Sequence, residues 1–329
     1  MLSSVFKGIV QFRNALFTIG ALKSAKLPAP VISIGNLTVG GTGKTPMTIL
    51  IAEYLKSTER KVCVLSRGYG RSKPSQRAIV SDGSAVLVDA AIGGDEPFEI
   101  ASRFNGRIVV ISDSDRLAAG RYASETYSPD VFVLDDGFQH RKVQRDLDLV
   151  CIDSVEPFGK GELLPSGRLR EPVSNLNRAN AVVITRADLL TEERLLSLEG
   201  TIRENAPDAL IFRAGTSLGF ESEPKGLVFA FCGLANGPRF YDQLVRQGLK
   251  VADTHSFPDH HRYDARDLEM LEEKARSCGA TAIVTTEKDR TKFLSHSFGV
   301  TLHVARLKFE IENLEDFTDM IDAAVARRT

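Results

Sequence analysis

Residues 31–45 read VISIGNLTVGGTGKT, an apolar run that leads into a glycine-rich turn ending in Gly-Lys-Thr. In such a turn, backbone N–H groups and the N-terminus of the next helix bind phosphate oxygens, the lysine reaches the terminal phosphates, and the threonine hydroxyl binds Mg²⁺. Apolar residues at helical spacing over 46–56 predict that helix. Thr38 replaces the first glycine of the usual pattern. The stretch therefore predicts a nucleotide site formed by Thr38, Gly40, Gly41, Thr42, Gly43, Lys44 and Thr45.

A second motif supports this prediction. Residues 131–140 read VFVLDDGFQH, four apolar strand residues followed by the paired carboxylates Asp135 and Asp136. In P-loop enzymes, acids at this place hold Mg²⁺ directly or through water. A nucleotide and Mg²⁺ are therefore the expected ligands.

Composition places the chain among α/β proteins long enough for two domains. It has 329 residues, 43% hydrophobic and 26% charged, with a formal net charge of -1. This balance, without a basic stretch interleaved with aromatics, argues against nucleic-acid binding. The four cysteines are scattered, which predicts neither a disulfide framework nor a thiolate metal site and fits a reducing cytosol.

The N-terminal segment differs from the rest in charge. No acidic residue precedes Glu53, and apolar residues fall on one face of a predicted helix, with Lys7, Gln11, Asn14 and Thr18 on the other. Such a helix packs on its own domain or lies in a membrane interface, with its cations near anionic headgroups. The missing acids favour the membrane. No stretch is long enough to predict a transmembrane helix.

Several polar segments have both a functional and a structural interpretation. The turn Arg67-Gly68-Tyr69-Gly70-Arg71 suits an anionic ligand or a solvated loop, and Asp95 and Glu96 start a predicted helix that they could simply cap. Residues 153–178 are loop-like and cationic, which predicts a boundary between domains. Beyond them, strands at 181–185, 210–213, 227–232, 282–286 and 301–304 alternate with helices at 192–205, 238–247, 265–277 and 315–327. The adjacent His260 and His261 have no further ligand at metal spacing.

Seven motifs in one chain resemble a known family. They are residues 36–46 (NLTVGGTGKTP), 66–71 (SRGYGR), 94–97 (GDEP), 135–140 (DDGFQH), 164–172 (LPSGRLREP), 257–260 (FPDH) and 286–289 (TEKD). In this order, and nearly end to end, the chain resembles tetraacyldisaccharide 4′-kinases, the lipid A 4′-kinases of Gram-negative bacteria. The resemblance implies transfer of the γ-phosphate of ATP to the 4′-hydroxyl of a tetraacylated glucosamine disaccharide 1-phosphate. It also implies two α/β/α domains joined by a short β linker.

The resemblance also implies roles for residues. Lys44 contacts the β- and γ-phosphates, Thr45 and Asp135 serve the metal, and Asp136 serves both the metal and catalysis. Asp95 is the implied catalytic base and pairs with His260, chosen over His261 because it completes the motif. Glu96 and Gln139 are implied near the metal. The implied lipid- and phosphate-facing residues are Arg67, Tyr69, Arg116, His140, Arg170 and Glu171.

These interpretations give one domain plan. It consists of an amphipathic membrane-interface helix at 1–25, a P-loop kinase core of the NTPase-like α/β/α type at 28–152, linker and substrate loops at 153–178, and a second α/β domain at 179–329 that contributes His260. The expected partners are the lipid A disaccharide precursor and an anionic membrane surface, with no nucleic acid. We expect a monomer bound peripherally to the cytoplasmic face of the bacterial inner membrane.

Two other function classes share some of these features. Residues 182–188 read VVITRAD, close to the [NT]-K-x-D loop that reads guanine, so a GTPase switch or metallochaperone is one alternative. Arg186 stands where that loop has its stacking lysine. A membrane-associated partitioning ATPase is the other, although those proteins place a lysine where this chain has Val39.

Overall fold

The computed structural model of the protein describes residues 2–234, 236–259, 261–293 and 295–326. Contacts divide the chain into two compact units. The first comprises Met1–Gly215 and Phe309–Thr329, and the second comprises Thr216–Lys308.

The first unit alternates strands and helices along the chain. Its elements are α1 Leu2–Thr18, β1 Val31–Gly35, α2 Lys44–Ser57, β2 Val62–Ser66, β3 Ala78–Asp82, α3 Ala90–Gly93, α4 Asp95–Arg103, β4 Val109–Ser112, α5 Arg116–Tyr127, β5 Val131–Asp135, β6 Leu147–Asp153, β7 Ala181–Thr185, α6 Glu192–Asn205 and β8 Leu210–Gly219, in which the chain enters the second unit. The α/β alternation predicted from the sequence is confirmed.

The sheet of the first unit has the order β8-β7-β6-β1-β5-β2-β4-β3. Neighbouring strands pair in parallel except β3, which runs antiparallel to β4. Every residue of β1 and β5 is buried, as in parallel strands covered on both faces. The carboxyl ends of β1 and β5 meet in register, Ile34 opposite Asp135, and this brings the two phosphate and metal motifs to one edge of the sheet.

Helix α2 is fixed by the sheet beneath it. Met47, Ile51 and Leu55 are fully buried at helical spacing and belong to one core cluster with residues of β1 and β5. Burying three such side chains stabilises the helix by several kcal/mol, on the order of 1.5–3 kcal/mol each. The N-terminus of α2 is therefore held firmly at the edge where β1 ends.

Helix α1 has one face on the protein and one face in solvent. Val10 and Asn14 are buried, and Phe6 packs against a core cluster. Val5, Ile9, Phe12 and Ile19 are 57%, 62%, 68% and 74% exposed. The helix predicted from the sequence is present, but Asn14, which was assigned to the solvent-facing polar side, points into the protein. Among the helices of the described residues, none has the length and apolar character needed to cross a membrane.

The second unit is a smaller α/β structure. It contains β9 Leu227–Cys232, α7 Gly237–Arg246, β10 Lys250–Ser256, α8 Ala265–Ser277, β11 Ala282–Thr286 and α9 Glu287–Arg290, and it ends within β12 Thr301–Ile311 before α10 Leu314–Ala326 returns to the first unit. Its parallel strands have the order β10-β9-β11-β12.

The division between the units lies elsewhere than the predicted boundary at 153–178. Strand β7 pairs with β6 and strand β8 pairs with β7, so both continue the P-loop sheet, and Phe317 and Ile321 of α10 belong to the same core as α2. The boundary was predicted there because residues 153–178 have a loop-like, cationic composition. Residues 179–215 belong to the first unit because β7 and β8 pair into its sheet, and composition does not reveal strand pairing.

Candidate active site

The phosphate-binding turn lies between β1 and α2. The side-chain amide of Asn36 donates to the Thr38 carbonyl at 2.7 Å and to the Thr42 hydroxyl at 2.9 Å, so it ties the two ends of the turn together. Gly43 has φ 84 and immediately precedes α2, which begins at Lys44. Backbone N–H groups at the start of this helix have no intrahelical partner, which suits an anion. Lys44 and Thr45 are nearly buried in the first turn.

A second segment braces the turn. Leu169 forms an antiparallel bridge with Thr38, the Val39 amide donates to the Arg168 carbonyl at 2.8 Å, and the Arg170 amide donates to the Leu37 carbonyl at 2.7 Å. We call residues 168–170 the P-loop brace. Its outer guanidinium, on Arg168, donates to the Val39 carbonyl at 2.9 Å and pairs with Glu156.

Gly40 is required where the brace meets the turn. Its φ is +117, and an added Cβ would lie 2.2 Å from Nη2 of Arg168. An L side chain is strained at this φ, so both the backbone conformation and the neighbouring arginine restrict this position to glycine. At Gly41 an added Cβ would meet nothing within 4 Å.

Two cations neutralise Asp136. Lys44 Nζ lies 3.6 Å from its Oδ1, and Arg170 Nη1 donates to both carboxylate oxygens at 2.8 and 2.7 Å. Burial acts to raise the pKa of Asp136, but Lys44 and Arg170 outweigh it and the net pKa is lowered. The structure therefore brings Lys44, Asp136 and Arg170 together, as the sequence predicted for the first two. It also gives Arg170 a partner within the site.

Asp135 is fully buried beside them. It accepts hydrogen bonds from Ser66 at 2.9 Å and from Thr48 at 3.2 Å. Burial raises its pKa to about 7, with further contributions from the negative charges of Glu96 and Asp136. Glu96 is in the first turn of α4, and its side chain is exposed.

The turn at 67–71 and the start of α4 pack together. An added Cβ on Gly94 would lie 2.8 Å from Cα of Gly68, so backbone meets backbone here. Asp95 is the first residue of α4, and its side chain is partly exposed. Arg67 is exposed and Tyr69 is 80% exposed. The two short motifs thus pack against each other, and the side chains of Arg67 and Tyr69 are exposed beside them.

Arg116 and His140 are two largely buried side chains, and Arg116 interacts electrostatically with both Asp135 and Asp136. Arg116 is 7% exposed and its Nε has no partner, while His140 Nε2 is also buried without one. Burial lowers the pKa of Arg116, and the charges of Asp136 and Asp135 oppose that effect. Burial, with help from Arg116, lowers the pKa of His140 to about 3. His140 is therefore neutral near pH 7; the Nε of Arg116 is a donor without a partner, and the Nε2 of His140 is a donor or an acceptor according to the tautomer.

Gln139 is oriented by the turn. Its amide nitrogen donates to the Asn36 carbonyl at 2.9 Å, and its oxygen lies 3.5 Å from Arg170 Nη1. Gln139 therefore sits between the P-loop and the Walker-B acids.

Glu171 lies away from the exposed surface, in contrast to the sequence-based expectation of substrate contact. Its side chain is 0% exposed and accepts hydrogen bonds from Asn14, Asn175 and Arg178. Its neighbour Arg170 points to Asp136 instead. Sequence alone did not show which residue of the pair is internal, because neither position has an apolar pattern around it. His260, the implied partner of Asp95, lies outside the described residues.

Three contributors were missed from the sequence. Asn36 and Arg168 shape the turn, and the Thr185 hydroxyl at the end of β7 donates to the Thr42 carbonyl at 3.0 Å. The last contact bears on the guanine-reading alternative, since this loop supports the P-loop and its Arg186 forms an ion pair with Asp153. Arg168 is the first arginine of the GRLRE stretch, and Asn36 is the polar residue directly after a buried strand.

The donor set suits Mg²⁺. Thr45, Asp135 and Asp136 supply hard oxygen atoms, the ligand type that Mg²⁺ prefers, and Mg²⁺ usually takes only one or two carboxylates with the remainder from waters and phosphates. Within the described ranges no group of three or more His, Cys, Asp or Glu side chains is placed to hold a metal ion.

Comparison with known proteins gives one family. The family described as Tetraacyldisaccharide-1-P 4'-kinase matches residues 1–326. The Tetraacyldisaccharide 4'-kinase of Pelobacter propionicus is 40% identical over 97% of this chain and 90% of its own length, and that of Desulfotalea psychrophila is 38% identical over 97% and 94%.

A solved structure agrees with these relatives. The "apo" form of LpxK from Aquifex aeolicus in complex with ATP is 32% identical, covers 98% of this chain and 97% of its own, and superposes with a TM-score of 0.79. The fold class and the resemblance predicted from the sequence are both confirmed, and the chain belongs to the tetraacyldisaccharide-1-P 4′-kinase family.

Proposed function

We propose that this protein transfers the γ-phosphate of ATP to the 4′-hydroxyl of a tetraacylated glucosamine disaccharide 1-phosphate, a step of lipid A biosynthesis. The observation that carries the proposal is the meeting of Lys44 with Asp136, at the N-terminus of α2 and the end of β5, in a chain of this family. These are the parts that phosphoryl transfer requires, because catalysis there depends on positioning and charge neutralisation.

One group of residues would bind the nucleotide and its Mg²⁺. Backbone N–H groups of residues 40–45 bind the phosphates, and Lys44 neutralises charge at the β- and γ-phosphates. Thr45, Asp135 and Asp136 would hold Mg²⁺, with Glu96 and Gln139 beside them, and the ion would add positive charge against the phosphate oxygens. Arg170 keeps Asp136 ionised and aimed at Lys44.

A second group of residues would act on the lipid acceptor. Asp95 would accept the proton of the 4′-hydroxyl as that oxygen attacks the γ-phosphorus and ADP leaves, and His260 would orient Asp95. Arg67 and Tyr69, which are exposed, and Arg116 and His140, which are more buried, would contact the disaccharide and its phosphate. The exposed turn, the unpaired Nε of Arg116 and the unpaired Nε2 of His140 support this assignment.

The substrate is a lipid, so we also propose that α1 binds an anionic membrane surface, at the cytoplasmic face of the inner membrane. Its exposed face carries Val5, Ile9 and Phe12, and the exposed Ile19 follows directly after the helix. Burying such a face in the interface, with Lys7 and Lys23 near headgroups, favours peripheral binding. A matched pair of variants tests this: Ile9→Glu should release the protein from anionic vesicles, whereas Gln11→Glu, with the same charge change on another exposed side, should bind nearly as wild type. Equal vesicle binding of both variants would contradict the membrane role of this face.

Phosphate transfer itself is tested with purified protein, labelled ATP and a tetraacylated disaccharide 1-phosphate in mixed micelles. The proposal expects a product phosphorylated at the 4′ position and little transfer from GTP. Hydrolysis of nucleotide without a lipid product would instead favour the switch or partitioning alternatives.

A further inference from the structure

Glu171 is a buried carboxylate at the centre of a network that the kinase reaction does not use directly. Its Oε2 accepts from Arg178 at 2.6 Å, from Asn175 at 2.7 Å and from Asn14 at 3.1 Å, and its Oε1 accepts from Arg13 at 3.2 Å. Two of these donors belong to α1 and two to the segment that follows the P-loop brace. The Glu171 side chain has no exposed surface, and burying a charged carboxylate costs free energy unless partners such as these compensate the lost hydration.

Arg170, the residue before Glu171, contacts both the phosphate-binding turn and Asp136. Arg170 donates through its backbone to the Leu37 carbonyl and through its side chain to Asp136. Arg168, at the other end of the brace, holds the Val39 carbonyl. Any displacement of Glu171 therefore moves a segment that is bonded to the P-loop at both ends.

A second route leads from Glu171 to the Walker-B loop. Arg178, paired with Glu171, lies with its guanidinium carbon 4.2 Å from the ring centroid of Phe138. Phe138 is fully buried and packs so close to β1 that an added Cβ on Gly35 would lie 2.4 Å from its Cβ. Residues 135–139 carry the acids and Gln139, so this stack links the same carboxylate to the metal side of the site.

From these contacts we infer that Glu171 is a positioning residue for the nucleotide site and that α1 is its outer support. Asn14 and Arg13 hold the carboxylate from one side, and the carboxylate holds the brace and Arg178 on the other. The N-terminal helix thus contributes to nucleotide binding as well as to any surface it contacts. The inference uses the proposed kinase function only in taking the P-loop as the nucleotide site.

Nucleotide affinity measured without lipid acceptor tests the inference. The variants are Glu171→Gln, which keeps the shape and removes the charge, and Asn14→Ala, which removes one of the two α1 contacts to Glu171 and leaves that of Arg13. We expect affinity for ATP to fall roughly tenfold in Glu171→Gln and a few-fold in Asn14→Ala, and the double variant to resemble Glu171→Gln because both act through one carboxylate. Ser3→Ala is the matched control, since it removes an exposed α1 hydrogen bond to Ser166 that bypasses Glu171; it should bind ATP as wild type.

The measurement separates positioning from a purely structural role. Unfolding temperatures are recorded on the same samples, and in the lipid assay the KM for ATP should rise more than kcat falls. If Glu171→Gln and Asn14→Ala unfold earlier but bind ATP within twofold of wild type, the inference is wrong. If Glu171→Gln does not fold, Asn14→Ala alone decides by the same criterion. Failure of lipid phosphorylation would overturn the proposed function but would leave this result intact, because ATP binding needs no acceptor.

Discussion

Replacing Gly40 by alanine perturbs the phosphate-binding turn at a single defined point. The new Cβ would lie 2.2 Å from Nη2 of Arg168, at a backbone φ of +117. The arginine end is flexible and can move aside, but only by giving up its hydrogen bonds to the Val39 carbonyl at 2.9 and 3.2 Å. Backbone strain of about 1–3 kcal/mol adds to about 0.5–1.5 kcal/mol for each lost hydrogen bond.

With both hydrogen bonds lost the total is on the order of 2–6 kcal/mol, and it has to be supplied whenever the turn adopts the conformation seen here. Because about 1.4 kcal/mol is tenfold in affinity, ATP binding to Gly40→Ala should weaken by at least roughly thirtyfold. Calorimetric titration with ATP and Mg²⁺ measures this directly. Gly41→Ala is the control for stability: its Cβ meets no protein atom within 4 Å, so its unfolding temperature without nucleotide should equal that of wild type.

A double variant separates the contribution of Arg168 from the backbone strain at residue 40. Arg168→Ala removes the steric contact and its hydrogen bonds in advance, so the Gly40→Ala/Arg168→Ala double variant should lose less affinity than the two single losses combined. Additive losses would show that the arginine is not the obstacle. Binding of ATP to Gly40→Ala within threefold of wild type would refute the assigned conformation of the turn.

Three further outcomes follow from the site. Lys44→Ala should lower kcat by at least roughly a hundredfold, since it removes the cation facing the transferred phosphate, and activity within tenfold of wild type would count against the P-loop assignment. Asp95→Asn should depress kcat strongly while ATP affinity stays largely intact, whereas a helix-capping role alone predicts a lower unfolding temperature and nearly normal kcat. Because its folded-state pKa of about 3 lies below the usual 6.5, His140 contributes stability above pH 6.5 that is lost as pH falls towards 3; His140→Gln should therefore flatten that acid loss, by up to about 2 kcal/mol at pH 5, and an unchanged pH profile of unfolding would contradict its burial.

Sequence reasoning located the elements whose pattern is local. The P-loop, the Walker-B strand and most helices of the second half were predicted within a few residues, because buried parallel strands and amphipathic helices have distinct periods. Strand β10 was missed, since the sequence KVADTHS at 250–256 is mostly exposed and lacks an apolar run. The predicted boundary at 153–178 came from composition, whereas the unit division depends on which strands pair.

For the candidate site, the sequence identified the residue types and the structure supplied their directions. Arg170 and Glu171 are adjacent and were assigned together to the acceptor surface, yet one contacts Asp136 and the other is buried beneath α1. Likewise Asn14 reads as a solvent-facing polar residue on a helical wheel, and only its partner, distant in sequence, makes it internal. Pairings between residues more than a hundred positions apart are not encoded in any local pattern.

The most direct test of the account is a single-turnover phosphorylation experiment with purified protein, [γ-³²P]ATP, Mg²⁺ and a tetraacylated glucosamine disaccharide 1-phosphate, followed by mapping of the labelled position. The account predicts label on the 4′ oxygen with wild type and almost none with Lys44→Ala. Label at another position, no lipid product, or equal product from Lys44→Ala would contradict it.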